Sequence, residues 1–473
     1  MSPRENDRMT LQALAAQDPV TAHLFAQLPQ ARQWLFDYLR IPSVATDSAY
    51  AAAMQEARRF VKDRLVGMGL ENVQELDGGG QPALYAEWCH APGKPTIIIY
   101  GHYDVQPPDP LDQWRTPPFE PTVVEGCIYA RGASDVKAAT TIALDVVGGF
   151  LAVEGACPVN IKFFLEGEEE IGSPTLRTII ERYRSLLQAD AVLSADGGRV
   201  SVDPPTLNVG ARGNAAFEVT VRTARKDLHS GRYGGAVRNA VHVLTRMLAS
   251  LHNDDGSVAV AGFYEGSRPL SAQDREDTAA LHFCEEAFVG EVGGINWGEA
   301  GYTLRERVTL RPCIDVNGIS GGYTGEGGKT IVPCEASAKV SLRVVPGQDS
   351  RVVLEHVIAH LRAVAPQGVQ VSVAGISLGS PASSLDPEHF LYRCASAVLQ
   401  RRTGQRPVPV RLGATVPITS VFKTDLGIDT LMFGHNLPDE DVHAPNEFFR
   451  LQSIEEGLID WAGILRELGQ HTV

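Results

Sequence analysis

What this chain lacks narrows it first. Its seven cysteines (Cys89, Cys127, Cys157, Cys284, Cys313, Cys334 and Cys394) are odd in number, widely spaced and never arranged as CxxC. Neither a disulfide framework nor a thiolate zinc site is built that way, and the usage is that of a reducing compartment. Positive charge is also short: Lys and Arg total 42 against 57 Asp and Glu, a net charge of −15 with no basic stripe. Nucleic acid is therefore not an expected partner. Two bound divalent cations would offset about four of the negative charges. Long hydrophobic runs are missing too, since the most apolar stretch, 139–153, is broken by Asp145 and a Gly pair. No membrane span is expected from it. The first thirty residues, opening MSPRENDRMT, carry no apolar core ahead of a small-residue cleavage site. No secretory signal is expected, and the expected location is cytoplasmic. Internal repeats and low-complexity tracts are absent as well.

What is present is an ordinary globular composition, 44% hydrophobic and 21% charged over 473 residues, long enough for two domains. Residues 8–40 and 49–68 have helical apolar spacing. Strand-like runs come next at 83–88, 96–104, 159–167 and 191–196, with helical stretches at 137–153 and 174–187 between the later ones. Strands alternating with helices predict an α/β fold, a mostly parallel sheet with helices on both faces. Near residue 212 the pattern changes. Strands at 215–223, 308–316, 336–346 and 369–375, with helices at 236–252 and 349–364, predict an inserted ferredoxin-like β-α-β-β-α-β unit. The expected organisation is a discontinuous catalytic α/β domain, 1–212 and 385–473, around an inserted lid or dimerisation domain, 213–384. A helix at 452–468 closes the chain.

Five segments carry chemistry: YGHYD (His102, Asp104), ASDVK (Asp135), LEGEEEIGS (Glu169, Glu170), LSADGG (Asp196) and DVHAPNE (His443). Four of them come after apolar strand-like runs, and parallel sheets bind ligands beyond the carboxyl ends of their strands. His102 and Asp104, two apart on an extended segment, face the same way. Asp104 is thus placed to accept the spare ring N–H of a metal-binding His102. Glu168-Glu169-Glu170 repel one another unless cations or protons neutralise them, and Gly167 and Gly172 constrain the backbone around them. Two imidazoles with several carboxylates suit zinc, manganese or cobalt. Taken singly, each segment also has a plain structural reading, as a turn aspartate, a solvated acidic loop or a hydrogen-bonded His–Asp pair. Two other motifs do not hold. His356 and His360 are four apart on a helix, but Val357 stands where a zinc protease needs Glu. GGYTGEGGKT has Tyr323 where a phosphate loop needs its first Gly.

In order along the chain stand GHYDVQPPDP, Trp114 with PPFEP, YARGASDVKA, FLEGEEEIGS, KDLHSGRYGG, GKTIVP, SLRVVP and HAPNE. From about residue 30 onward this resembles the carnosinase-like cytosolic dipeptidases, within the superfamily of aminoacylases, carboxypeptidase G and acetylornithine deacetylase. The resemblance implies two divalent ions, zinc first and manganese or cobalt next, one on His102 and Asp196 and the other on Glu170 and His443. Asp135 would bridge them. Glu169 would be the general base, with Asp104 beside it in the catalytic set. His229, from KDLHSG, would reach the scissile carbonyl, in the partner subunit's site of a homodimer. Arg343, with Thr330 and Thr415, would hold the substrate's carboxylate. Two departures stand out: the usual D-D-K-G is Asp135-Val136-Lys137-Ala138, and Gly-Gly-Ser-Ile-Pro is Gly413-Ala414-Thr415-Val416-Pro417. The expected function is dipeptide hydrolysis by a water held between two metals. An N-acyl or N-carbamoyl amino acid amidohydrolase and a catalytically silent peptide-binding protein are the alternatives.

Overall fold

The computed structural model describes residues 10–472. Two compact units form: one from the residues up to Val209 with Leu385–Val410 and Val421–Val473, the other from Gly210–Ser384 with Arg411–Ser420.

The first unit is built on a nine-stranded sheet, six strands of which run in the order Glu71–Leu76, Ala83–Trp88, Asn160–Glu166, Thr96–His102, Ala191–Ser194, Thr430–Met432. The last four are mutually parallel, and the first two add on antiparallel. Ile97 to Tyr100 are almost wholly buried on both sides, as a central parallel strand requires. One face packs on the helices Ala138–Glu154 and Leu451–Leu468 through residues such as Ile99, Phe163, Ala143, Phe150 and Trp461. On the other face Tyr100 stacks with Phe164, which meets Phe422 edge-on at 5.7 Å. The mainly parallel α/β arrangement expected from the alternating pattern is the one observed.

Some local expectations shift. The helical stretch 8–40 begins at residues outside those described; residues 10–15 are helical, and two further helices follow, Pro19–Ala26 and Leu28–Leu39. Asp18 caps the first of these by accepting from Val20 N and Thr21 N. The segment Ala133–Glu154 is long and apolar enough to cross a membrane, yet 72% of its most apolar window is buried inside the fold. Its hydrophobicity serves the core. Gly149 lets it approach the helix Pro19–Ala26, since a Cβ there would lie 2.9 Å from Leu24 Cδ2.

The second unit is a four-stranded antiparallel sheet in the order Cys313–Gly321, Glu335–Val344, Gly213–Arg222, Gln370–Ser377. With the helices Ala240–Ala249 and Ser350–Val364 this is the β-α-β-β-α-β succession. Gly213–Arg222 alternates buried and half-buried residues, so one face of the sheet carries the helices. Asn239 and Asp349 cap those helices. Residues 308–310 are helical rather than strand. Thr303 and Glu306 form a capping box that starts the helix Leu304–Leu310, and the strand begins only at Cys313. Residues 411–420 pack here because Arg212 Nε donates to the Gly413 carbonyl at 2.9 Å and Arg343 Nη1 to Thr415 Oγ1 at 2.8 Å.

The first unit also buries a charge network. Asp460, fully inaccessible, accepts from Arg402 Nε and Nη2 at 2.6 and 2.8 Å, and its Oδ2 lies 2.9 Å from His435 Nε2. Removing one member of a buried pair leaves the other charge uncompensated. Asp460→Ala should therefore lower unfolding stability by about 3–5 kcal/mol, measured by denaturant titration.

Candidate metal centre

Three parallel strands end side by side and deliver the first ligands. His102 closes the strand Thr96–His102, pairing in register with Glu166 of Asn160–Glu166, and Asp196 comes just after Ala191–Ser194. Glu169 and Glu170 lie in the short turn Glu169–Ile171 just beyond Glu166. Asp135 comes from the wide turn Ala133–Lys137 that opens the core helix, and His443 from the loop before Phe448–Arg450.

These side chains converge. His102, fully buried, has Nε2 at 3.3 Å from Asp135 Oδ1, without a hydrogen-bonding partner for that nitrogen. His443 Nε2 lies 2.8 Å from Asp135 Oδ2 and 3.2 Å from Glu170 Oε2. Two potential ligand sets result: His102, Asp135 and Asp196, and Asp135, Glu170 and His443, each with its donor atoms within 4.8 Å of one another. Asp135 belongs to both. The other side of His102 meets Asp104, whose backbone carbonyl is 3.0 Å and whose Oδ1 is 3.4 Å from Nδ1. Asp104 Oδ2 also accepts from Glu170 N at 3.0 Å, so it orients both the histidine and the glutamate turn.

The electrostatics describe a site rich in negative charge. Burial, with Asp196 next, pushes the Glu169 carboxyl up to about 9. Burial likewise raises Asp196 to about 6. Partial burial of Asp135 opposes its charge, but the imidazoles of His102 and His443 beside it outweigh this and hold it well below the usual carboxylate range. His443 is pushed up to about 10 by hydrogen bonding to Asp135 and Glu170. Burial disfavours the charged form of His102, yet Asp104 and Asp135 raise it well above an ordinary imidazole. Protonation offsets part of this negative charge. Divalent cations neutralise the same charge, and an orphaned buried imidazole nitrogen with bridging carboxylates suits them. The donor set therefore fits two metal ions.

The triple glutamate divides. Glu168 turns away, accepting from Gln81 N at 2.8 Å, Thr175 N at 3.3 Å and Thr175 Oγ1 at 2.5 Å. Only Glu169 and Glu170 face the cluster. Contacts that sequence reasoning missed are Gln106 Nε2, donating to Glu170 Oε2 at 2.8 Å, and the carboxylates of Glu440 and Glu447 behind the Asp135 turn. Glu447 stood in the motif HAPNE, but nothing in the linear sequence shows which backbone its carboxylate meets.

The remaining expected residues lie in the second unit. His229, exposed, pairs in register with Ile331, next to Thr330, whose carbonyl accepts from Ser230 N at 3.0 Å. His229 Nδ1 accepts the Gly231 N–H at 3.0 Å, which leaves the ring proton on Nε2. Arg343 and Thr415 are joined directly by the hydrogen bond already described.

Residues 98–467 match the family model described as Peptidase family M20/M25/M40. The chain belongs to this peptidase family. A Beta-Ala-His dipeptidase of Mus musculus is 30% identical over 429 residues, spanning 87% of this chain and 86% of that protein. A Cys-Gly metallodipeptidase of Candida albicans is 27% identical over 458 residues, 91% of this chain and 93% of its own. The crystal structure of human carnosine dipeptidase 1 matches with a TM-score of 0.75 at 27% identity, covering 98% of this chain and 99% of that one. Membership in this peptidase family agrees with the two ligand sets sharing one aspartate.

Glu168→Ala removes an acceptor from the half-buried N–H groups of Gln81 and Thr175 without touching the cluster. It should lower unfolding stability by about 1–3 kcal/mol while bound-metal stoichiometry, read by elemental analysis, stays unchanged.

Proposed function

We propose that this M20 peptidase is a metal-dependent hydrolase of dipeptides. The observation that carries the reading is Asp135, shared by two ligand sets with the half-buried Glu169 carboxyl nearby. His102, Asp135 and Asp196 would hold one cation, and Asp135, Glu170 and His443 the other. When bound, such a pair polarises a carbonyl and lowers the pKa of water. Glu169 accepts a proton from the attacking water and returns it to the amine nitrogen as the C–N bond breaks. Asp104 fixes the ring of His102 and, through Glu170 N, the turn that carries the base. Relatives named as dipeptidases, matching nearly end to end, support short peptides as the substrate class.

Further residues are assigned within this reading. His229 donates from Nε2 to the scissile carbonyl oxygen, supported by its Nδ1 being engaged with Gly231. Arg343 takes the substrate's terminal carboxylate through two parallel hydrogen bonds, steadied by Thr415, with Thr330 completing the contact. Zinc is the favoured metal, since two imidazoles accompany the carboxylates.

Glu169→Ala should cut kcat by about 10²–10⁴-fold while two equivalents of metal stay bound. The assay is dipeptide turnover by metal-stripped protein restored with zinc, manganese or cobalt. Near-normal activity in this variant would overturn the base assignment. Arg343→Met should raise KM for dipeptides far more than it lowers kcat, and an unchanged KM would remove Arg343 from carboxylate recognition. A homodimer through the second unit is also proposed, supported by its edge strand Cys313–Gly321, where Val316 and Ile319 are exposed. Sedimentation equilibrium should then show a dimer, and a fully active monomer rules it out.

A further inference from the structure

Glu447 is wholly inaccessible to solvent, and its carboxylate has four donors. Oε2 accepts from Arg131 Nη1 at 2.7 Å and Gly132 N at 2.9 Å. Oε1 accepts from Ser134 N at 2.9 Å and Asp135 N at 3.0 Å. The backbone adds one more link, Ala130 N donating to the Glu447 carbonyl at 3.1 Å. Every donor lies in the six residues that lead into and include Asp135. Those N–H groups open a helix and have no partners inside it, so an external acceptor must satisfy them. The entry to the turn is crowded. Gly132 has φ +80, and a Cβ there would lie 2.6 Å from Val105 Cγ1.

The segment that supplies Glu447 also supplies His443. Asp441, His443 and Asn446 have φ of 51, 65 and 69, left-handed conformations that non-glycine residues seldom adopt. Such a loop keeps its shape only when tied at both ends. Glu440, fully buried, ties the near end, accepting from Ser134 Oγ at 2.8 Å and Arg450 Nη1 at 2.7 Å. Glu447 ties the far end. Both anchors land on the Asp135 turn.

We propose that Glu447 is a positioning residue that presents Asp135 to both ligand sets at once, so that one buried carboxylate governs the occupancy of both metal positions. The proposal rests on the two-metal reading above. A purely structural role, as the partner of Arg131, would stabilise the fold without setting metal affinity. Partners that orient metal ligands affect affinity by about 10–100-fold.

Glu447→Gln separates the two roles because it keeps the shape of the side chain. Whichever way the amide lies, its NH2 faces either Arg131 and Gly132 or Ser134 and Asp135, leaving two donors opposed. The experiment titrates zinc into the metal-free full chain against a chromophoric chelator, with the cobalt(II) visible spectrum as a second readout. In Glu447→Gln both equivalents should weaken by about 10–100-fold and the cobalt bands should change. In His443→Ala only one equivalent should weaken. Wild-type affinities for both equivalents in Glu447→Gln, with only the melting temperature lowered, would overturn the positioning role. If that variant does not fold, Glu447→Asp keeps the charge beside Arg131 but falls one methylene short of the turn. The same loss at both positions is expected of it, and unchanged affinities overturn the proposal. Fewer than two equivalents bound by the wild-type chain would overturn the functional reading and this inference together. Two bound by wild type and unaffected by either Glu447 variant would overturn the inference alone.

Discussion

Four carboxylates and two imidazoles brought to one edge of a parallel sheet are the constraint on which the rest of this molecule depends. Asp135, Glu169, Glu170 and Asp196 cannot all be ionised at close range in a buried setting without positive charge among them. The fold makes that concentration of charge tolerable by rigidity. Strand ends in register carry His102 and the glutamate turn, a helix start carries Asp135, and Asp104 and Gln106 hold the orientations. A flexible rim would let the acids separate into solvent, and the driving force for taking up cations would go with them.

The apolar runs and the acids at their ends made the α/β core and the cluster legible in the sequence. Four buried residues in a row, Ile97 to Tyr100, announce a central strand, and the residues just past the end of such a strand face the ligand edge. Three adjacent glutamates could not be told apart in the same way. Glu168 turns back toward Gln81 and Thr175, and that choice is made by loops distant in the chain. The helix at Leu304–Leu310 escaped notice because its apolar residues also suit a strand, while its capping box decides the matter locally. Buried charge was the least legible of all. Asp460, Arg402 and His435 stand in no sequence motif, and two helices and a loop bring them together.

The second unit shows a different economy. Its split β-α-β-β-α-β sheet has its own core, with Val219, Leu342, Leu244 and Leu361 among the buried residues. The residues assigned to substrate contact sit at its margins, on the short ribbon of His229 and at the end of the strand carrying Arg343. On the proposed assignment, recognition and chemistry would fall in different compact units, so that substrate preference could change by substitution in one while the cluster in the other is left alone.

The order in which the ligands occur along the chain has a consequence during synthesis. His102, Asp135 and Asp196 have all been polymerised before the second unit is made, whereas His443 comes 308 residues after Asp135. At roughly 5–20 residues per second that interval is about 15–60 s. Once Asp196 has been made, a nascent chain can assemble one candidate ligand set and not the other, and Asp135 lacks both His443 and the carboxylate of Glu447. The proposed site is thus born half made, and the other half waits on residues made much later.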